Sequence, residues 1–119
     1  MDRSGDACQI GLVLELIGGR WKGPIIYWLQ DGTKRFGELR RLLDGITQRT
    51  LTTQLRELER NGLVTRTQYP EVPPRVEYQA TDLCRSLVPL LDSMRAWAET
   101  YGDRIIRQRQ HPDPSPFDS

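Results

Sequence analysis

The sequence predicts a mainly α-helical domain that carries one small β-hairpin, an α+β fold. Apolar residues recur at helical spacing along most of the chain. The period becomes extended over residues 63–80, which are rich in Val, Thr and Tyr. With 119 residues, a net charge of +1 and a hydrophobic share of 37%, the chain fits one compact domain.

Three helices are predicted over residues 10–17, 21–29 and 37–43. The first has apolar residues at one-face spacing and ends at paired glycines. The second contains Pro24, which is tolerated because the first turn of a helix offers its N–H no intrahelical partner. A short extended segment over residues 34–36 precedes the third helix, and Gly45 is a suitable stop after it.

A fourth helix is predicted from residue 48 to residue 60. Leu51, Leu55 and Leu58 fall at i, i+4 and i+7, so they define one buried stripe. Thr47 is a typical N-cap residue, and the following Asn and Gly at 61–62 end the helix. The leucines therefore dock this helix and leave its opposite face to solvent.

The C-terminal part is predicted to be one long helix over residues 81–110. Its apolar residues alternate in steps of three and four, a heptad-like spacing. Pro89 is expected to kink this helix without ending it, because the apolar period continues on both sides. We expect residues 1–7 to be a flexible N-terminus, residues 8–110 to form the domain with its dimerisation helices, and residues 111–119 to be a disordered tail.

Two helices joined by a short Gly-containing turn and followed by a β-hairpin describe a winged helix-turn-helix. The sequence words LIGGRWKGPI, KRFGELRRLLDGITQRTLTTQLRELERNGLV and YPEVPPRVEYQAT resemble the HxlR family of bacterial winged-helix transcriptional regulators, which is related to the MarR type. The resemblance covers roughly residues 8–101. It implies a homodimer that binds pseudo-palindromic, double-stranded operator DNA.

The exposed face of the fourth helix supports this function independently. Arg, Gln and Thr side chains reach base edges and phosphates in a major groove, and the first turns of a recognition helix contact the bases. Arg56 suits a phosphate or mixed contact, Lys34 and Arg35 suit phosphates, and Arg75 suits an adjacent minor groove. The predicted DNA-binding residues are Gln48, Arg49, Thr50, Thr52, Thr53, Arg56, Lys34, Arg35 and Arg75.

The alternative for this basic face is a merely solvated helix surface, and the charge distribution weighs against it. Residues 33–66 contain eight basic and four acidic side chains, whereas the whole chain has a net charge of only +1. Neutralising phosphates supplies much of the affinity of a protein for DNA. The concentration of positive charge therefore favours a nucleic-acid surface here.

A dimer interface is predicted on the first and last helices. Both carry more apolar surface than a small core can bury, and such patches normally mark an interface. The predicted interface residues are Ile10, Val13, Leu14, Ile17, Leu90, Met94, Trp97 and Tyr101.

Cys8 is the candidate for chemical regulation. The resemblance implies a sensing role, because in some family members the matching cysteine senses oxidants, electrophiles or quinones; here Gln9 stands where Pro usually follows. A thiolate near a helix N-terminus is also stabilised. The alternatives are an inert thiol at the helix start and regulation by a small-molecule effector. Cys84 is predicted to be a small buried apolar residue.

The favoured function is therefore a DNA-binding transcriptional regulator whose binding responds to a redox, electrophile or small-molecule signal. The alternative is a winged-helix adaptor that binds proteins or ligands without reading DNA. No catalytic residue, metal site or cofactor is predicted, because the chain lacks a Ser/His/Asp set and a phosphate-binding Gly loop. It also lacks the ~20 apolar residues of a membrane span and a signal peptide, so no membrane partner and a cytoplasmic location are expected.

Overall fold

The computed structural model describes residues 3–111. The predictions of a flexible N-terminus at residues 1–2 and of a disordered tail at residues 112–119 lie outside this range. The chain divides into two units at the Val88–Pro89 bond. The elements are α1 (Arg3–Ile17), α2 (Lys22–Leu29), β1 (Lys34–Arg35), α3 (Phe36–Leu42), α4 (Gln48–Arg60), β2 (Val64–Tyr69), β3 (Arg75–Ala80), α5 (Asp82–Arg85) and α6 (Val88–Gln110).

The predicted fold class is confirmed: the described chain is mainly helical and carries a small antiparallel sheet. The strands lie in the order β1-β3-β2. Strands β2 and β3 form the predicted hairpin, in register from Val64 opposite Ala80 to Tyr69 opposite Arg75. The predicted extended segment is the edge strand β1, which pairs with the other side of β3. The wing hairpin is thereby joined to the start of α3.

The core of the first unit lies among α2, α3, α4 and the sheet. The predicted leucine stripe of α4 is confirmed, because Leu51, Leu55 and Leu58 are at most 1% exposed. In and just after α3, Leu39 and Leu43 are buried, whereas Leu42 is 37% exposed. The other buried apolar side chains are Ile17, Ile25, Ile26, Leu29, Leu39, Leu43, Ile46, Leu63, Val64, Tyr78, Ala80 and Cys84.

The turn between α3 and α4 has the features predicted from the sequence. Gly45 has a φ of +85°, a left-handed conformation that glycine adopts without steric cost. Ile46 follows and is buried, which anchors the turn on the core. Thr47 then caps α4 by accepting a hydrogen bond from the backbone N–H of Thr50 at 3.1 Å.

The end of α4 is closed by a Schellman motif, which uses the predicted glycine stop. Gly62 has a φ of +77°, and its N–H donates to the Glu59 carbonyl at 3.0 Å. The N–H of Leu63 donates to the Leu58 carbonyl at 2.9 Å, which completes the motif. Thr81 directly follows β3, and its Oγ1 donates to the Gly62 carbonyl at 2.7 Å. The end of α4 and both ends of the hairpin therefore meet at one point.

Two sequence predictions about helix boundaries are wrong. Helix α1 begins at Arg3, so residues 3–7, which were assigned to a flexible N-terminus, are helical. The predicted single helix over residues 81–110 is two helices, α5 and α6, separated by a turn at residues 86–87. Pro89 lies in the first turn of α6, where a proline needs no N–H partner. It accompanies a new helix start and not a kink.

Within residues 3–111, no helix combines the length and the apolar character needed to cross a membrane.

Candidate nucleic-acid interface

The exposed side of α4 brings most of the predicted base-reading residues together. Gln48, Arg49, Thr52, Thr53 and Arg56 line one shallow surface groove of about 470 Å³. Helical spacing places Arg49, Thr53 and Arg56 on the side of the helix opposite the buried leucines, with Thr52 at the edge of that side. Gln48 joins them because it is exposed in the first turn. A helix docked by one face and polar on the other can present these side chains to a major groove.

The two threonines in this groove have defined hydroxyl orientations. Thr52 Oγ1 donates to the Gln48 carbonyl at 2.8 Å, and Thr53 Oγ1 donates to the Arg49 carbonyl at 3.0 Å. Each hydroxyl proton is thus used within the helix. The oxygen lone pairs and the methyl groups remain available, and these suit amino groups of bases and the thymine methyl group.

Thr50 differs from the other predicted base contacts. Its side chain is half-buried, and its hydroxyl accepts a hydrogen bond from Thr47 Oγ1 at 2.9 Å. It is absent from the residues that line the α4 groove. The structure therefore places Thr50 in the cap of α4.

The electrostatics of α4 favour an anionic ligand. No ion pair involves Arg49 or Arg56 among the described residues. The first turn of α4 contains no acidic side chain, so nothing there offsets the partial positive charge of the helix N-terminus. The guanidinium groups of Arg49 and Arg56 and the N-terminus of α4 therefore all contribute positive charge to this surface.

An ion pair between Lys22 of α2 and Glu57 of α4 joins these two helices, and sequence reasoning missed it. Lys22 is the buried charged residue of the described core, and its Nζ binds Glu57 Oε2. The hydrogen bond from Lys22 holds the pKa of Glu57 below its ordinary value. The signal in the sequence was a single lysine in the apolar run of α2, since a buried lysine needs a partner.

Lys34 and Arg35 form strand β1, directly before α3, as the predicted extended segment implies. Lys34 is half-buried opposite Tyr78, and Arg35 is exposed opposite Glu77. The backbone N–H of Arg35 donates a hydrogen bond to Glu38 Oε1 at 3.0 Å, in the first turn of α3. The backbone of Arg35 is therefore fixed, while its side chain extends from the exposed edge of the sheet.

Arg75 is held inside the wing. Its guanidinium group lies 3.3 Å from Glu71 Oε1 and 3.4 Å from Glu77 Oε1. The group also lies over the ring of Tyr69, 4.1 Å from the centroid. A contact with a DNA minor groove would require Arg75 to leave all three partners. Arg75, the residue predicted to contact a minor groove, thus makes its contacts within the hairpin.

The two cysteines occupy different environments. Cys84 is fully buried, as predicted, and burial raises the pKa of its thiol although Gln30 Nε2 lies 3.8 Å from the sulfur. Cys8 is exposed. It lies beyond the first turn of α1, so the predicted position at a helix N-terminus is wrong and the helix end gives its thiolate no direct support.

The predicted dimer residues fall into exposed and buried groups. On α1, Ile10 and Leu14 are 62% and 56% exposed, and Val13 is half-buried. Ile17 is only 3% exposed, so its side chain packs in the core of the first unit and does not contribute to the exposed apolar surface of α1. On α6, the predicted residues Leu90, Met94, Trp97 and Tyr101 are 40–56% exposed.

A model of the HxlR-like helix-turn-helix family matches residues 16–106. The chain belongs to the HxlR-like helix-turn-helix family. The HTH-type transcriptional regulator YdeP of Bacillus subtilis (strain 168) is 51% identical over 100 residues, which cover 84% of this chain and 78% of YdeP. The HxlR-like family and its relatives are transcriptional regulators and not enzymes.

Two solved structures of transcriptional or redox regulators are similar to this chain. The redox regulator HypR in its oxidized form has 49% sequence identity and a TM-score of 0.73, covering 78% of this HxlR-like chain and 96% of HypR. The reduced form of the transcriptional regulator YodB from B. subtilis has 38% identity and a TM-score of 0.70, covering 78% and 91%. The protein is thus a transcriptional regulator of HxlR/MarR type with a winged-helix fold.

Proposed function

We propose that this regulator binds pseudo-palindromic operator DNA as a homodimer and reads it with α4. The observation that carries this proposal is the single groove lined by Gln48, Arg49, Thr52, Thr53 and Arg56. In the proposed complex, the first four of these side chains, Gln48 to Thr53, contact bases. Arg56 contacts a phosphate. Lys34 and Arg35 on the edge strand contact the phosphate backbone. The proposed DNA target places the action of this regulator in the cytoplasm.

The homodimer is supported by apolar surface on α1 and on α6, considered separately. On α6, Leu90, Met94, Trp97 and Tyr101 recur at steps of three and four and stay exposed. A stripe of this kind on a helix matches the seam of a helix pair. Pairing with a second copy would place two recognition helices about one DNA turn apart, roughly 34–36 Å.

To test whether α4 reads DNA, the affinity and sequence preference of Arg49→Ala are compared with those of the unmodified protein on selected operator sequences. Duplexes are first selected from a random library with the unmodified protein. Loss of a bidentate contact to a base costs ~1–3 kcal/mol, so Arg49→Ala should bind the selected operator more weakly and tolerate substitutions at one position of each half-site. Unchanged affinity and unchanged sequence preference would remove Arg49 from the site.

Salt dependence separates this function from an adaptor that does not read DNA. When a protein contacts several phosphates, the logarithm of its binding constant falls steeply and linearly with the logarithm of the salt concentration. Binding measured between 50 and 200 mM salt should therefore fall by ~10³-fold or more if 6 or more phosphates are contacted. An adaptor whose basic face is incidental would select no common sequence from the library.

We infer that an oxidant or electrophile acts on this regulator through Cys8. Cys8 is exposed and Cys84 is fully buried, so Cys8 is the accessible thiol of the described chain. The likeness to the redox regulator HypR supports a redox signal.

The test compares operator affinity before and after treatment with hydrogen peroxide. Cys8→Ser should remove the response and Cys84→Ala should retain it. A response that survives in Cys8→Ser would contradict the role of Cys8 and favour a small-molecule effector.

A further inference from the structure

Glu57 places a negative charge on the helix that is proposed to read DNA. It lies four residues after Thr53 and three residues before Arg60, so these side chains are neighbours on the surface of α4. The side chain of Glu57 is 39% exposed. An exposed carboxylate beside a DNA-binding surface opposes binding, because it repels the phosphates whose neutralisation supplies much of the affinity. The charge of Glu57 is therefore unfavourable for DNA binding unless it is balanced.

Lys22, the first residue of α2, balances this charge. Its side chain is only 11% exposed, and its Nζ donates a hydrogen bond to Glu57 Oε2. A buried ammonium group needs a partner, so the burial of Lys22 favours its contact with the carboxylate. The hydrogen bond and the charge of Lys22 hold the pKa of Glu57 below its ordinary value, and the charge of Arg60 acts in the same direction.

The charges of α4 thus have different partners. The carboxylate of Glu57 is bound to α2, whereas Arg49 and Arg56 form no ion pair within residues 3–111. Without Lys22, the carboxylate of Glu57 can pair with Arg60 on the same helix or face the DNA. In both cases the surface of α4 that meets DNA loses positive charge.

We propose that Lys22 is a positioning residue for DNA recognition, which neutralises Glu57 from α2 and holds its carboxylate away from the DNA. Lys22 is buried, so it acts through Glu57 and does not itself contact a phosphate. This inference rests on the proposed function, since α4 must be the helix that meets DNA. A unit charge about 4 Å from another changes binding about fivefold in water, which sets the size of the expected effect.

The contact between Lys22 and Glu57 is tested first without DNA, by NMR titration of the Glu57 carboxyl carbon. Lys22→Met removes the ammonium group and keeps a flexible, unbranched side chain, so the pKa of Glu57 should rise towards its ordinary value. Arg20 is exposed, and Arg20→Met makes the same charge change nearby. It should leave the pKa of Glu57 unchanged. Equal pKa values of Glu57 in the Lys22→Met variant and the unmodified protein would overturn the proposal.

The effect on recognition is measured as a double-mutant cycle with the selected operator duplex. Lys22→Met should weaken operator binding about fivefold, and the added change Glu57→Gln should restore it. Glu57→Gln alone should not weaken operator binding. Glu59 is the control, because it lies on α4 and forms no ion pair within the described residues. Glu59→Gln should change the affinity by the same factor in the unmodified protein and in the Lys22→Met variant.

Circular dichroism of each variant checks that the fold is retained. Unchanged operator binding in Lys22→Met would show that the ion pair does not serve recognition. Equal losses in Lys22→Met and Glu57→Gln, without recovery in the double variant, would show that the pair acts only as a link between α2 and α4. Failure of the unmodified protein to select any operator would instead reject the proposed function and, with it, the effect on recognition. The NMR titration would still decide whether Lys22 holds Glu57.

Discussion

Arg75 and Tyr69 face each other at the loop end of the wing hairpin, with the guanidinium carbon 4.1 Å from the centre of the ring. Glu71 and Glu77 hold the same guanidinium group at 3.3 and 3.4 Å. One cation thus joins the end of β2, the connecting loop and the start of β3. Its charge is already balanced by two carboxylates, so its main role in this structure is to order the wing.

Replacing Arg75 with alanine should therefore loosen the hairpin more than it alters DNA electrostatics. The cation–π contact contributes about 0.5–1 kcal/mol at an exposed site. Backbone amides of β2 and β3 should exchange faster with solvent, while the salt dependence of operator binding should stay unchanged. A salt slope reduced by about one unit would instead show that Arg75 contacts a phosphate. Arg66→Ala on the same hairpin is the control for amide exchange.

The ion pair between Lys22 and Glu57 should make stability depend on acidity. The pKa of Glu57 is lowered in the folded state, whereas the unfolded value is about 4.3. Its contribution is therefore complete above that value and is lost as the pH falls through the lower folded value. Glu57→Gln should lower the melting temperature at pH 7, and the difference from the unmodified protein should shrink towards pH 3.

Glu59→Gln is the matched control, because Glu59 lies on the same helix and forms no ion pair within the described residues. A difference for Glu57→Gln that stays constant from pH 7 to pH 3 would contradict the linkage.

The cap of α4 offers a separate test of how firmly the first turn must be held. Thr47→Ala removes the acceptor for the Thr50 N–H and should cost about 1 kcal/mol of unfolding free energy. Thr47→Ser keeps the hydroxyl and should restore most of that stability. Because Gln48 and Arg49 directly follow the cap, operator affinity should fall in the alanine variant and recover in the serine variant. Denaturant unfolding and operator titration measure the two effects.

A charge within the apolar stripe of α6 should disrupt the proposed dimer. Trp97 is 56% exposed, and its ring lies 5.1 Å from that of Tyr101. Trp97→Glu would bury a charge in an interface, so sedimentation velocity should report a monomer where the unmodified protein is a dimer. Ala96→Glu adds the same charge on a different face of α6 and should leave the dimer intact. A dimer that persists in Trp97→Glu would exclude this stripe from the interface.

The helix-turn-helix and the wing were predictable because their signals are local. The leucine stripe, the Thr47 cap and the glycine stop of α4 are each written within a few neighbouring residues. The alternation of the two wing strands is equally local. The same holds for Arg49, Thr53 and Arg56 of the groove on α4, since helical spacing places these residues on one face.

What the sequence could not give depends on contacts between distant residues or on competing helix starts. The pairing of Lys34 with Tyr78 and the ion pair of Lys22 with Glu57 join segments far apart in the chain. Pro89 was compatible with a kink or with a first helical turn, and the apolar period did not distinguish them. The predicted DNA contact of Arg75 follows from its place in the wing, whereas its binding to Glu71 and Glu77 depends on the folded conformation of the hairpin.

The hydrogen bond from Thr81 to the carbonyl of Gly62 closes the hairpin at its base, so the chain leaves α4 and returns to almost the same place. Changes in the loop of the hairpin should therefore have little effect on the position of α4. Lengthening the tip at residues 72–74, beyond the ion pair between Glu71 and Arg75, would cost loop entropy of about 0.6 kcal/mol for each doubling of length. The loop of the wing can therefore differ in length and sequence among regulators without changing the position of α4.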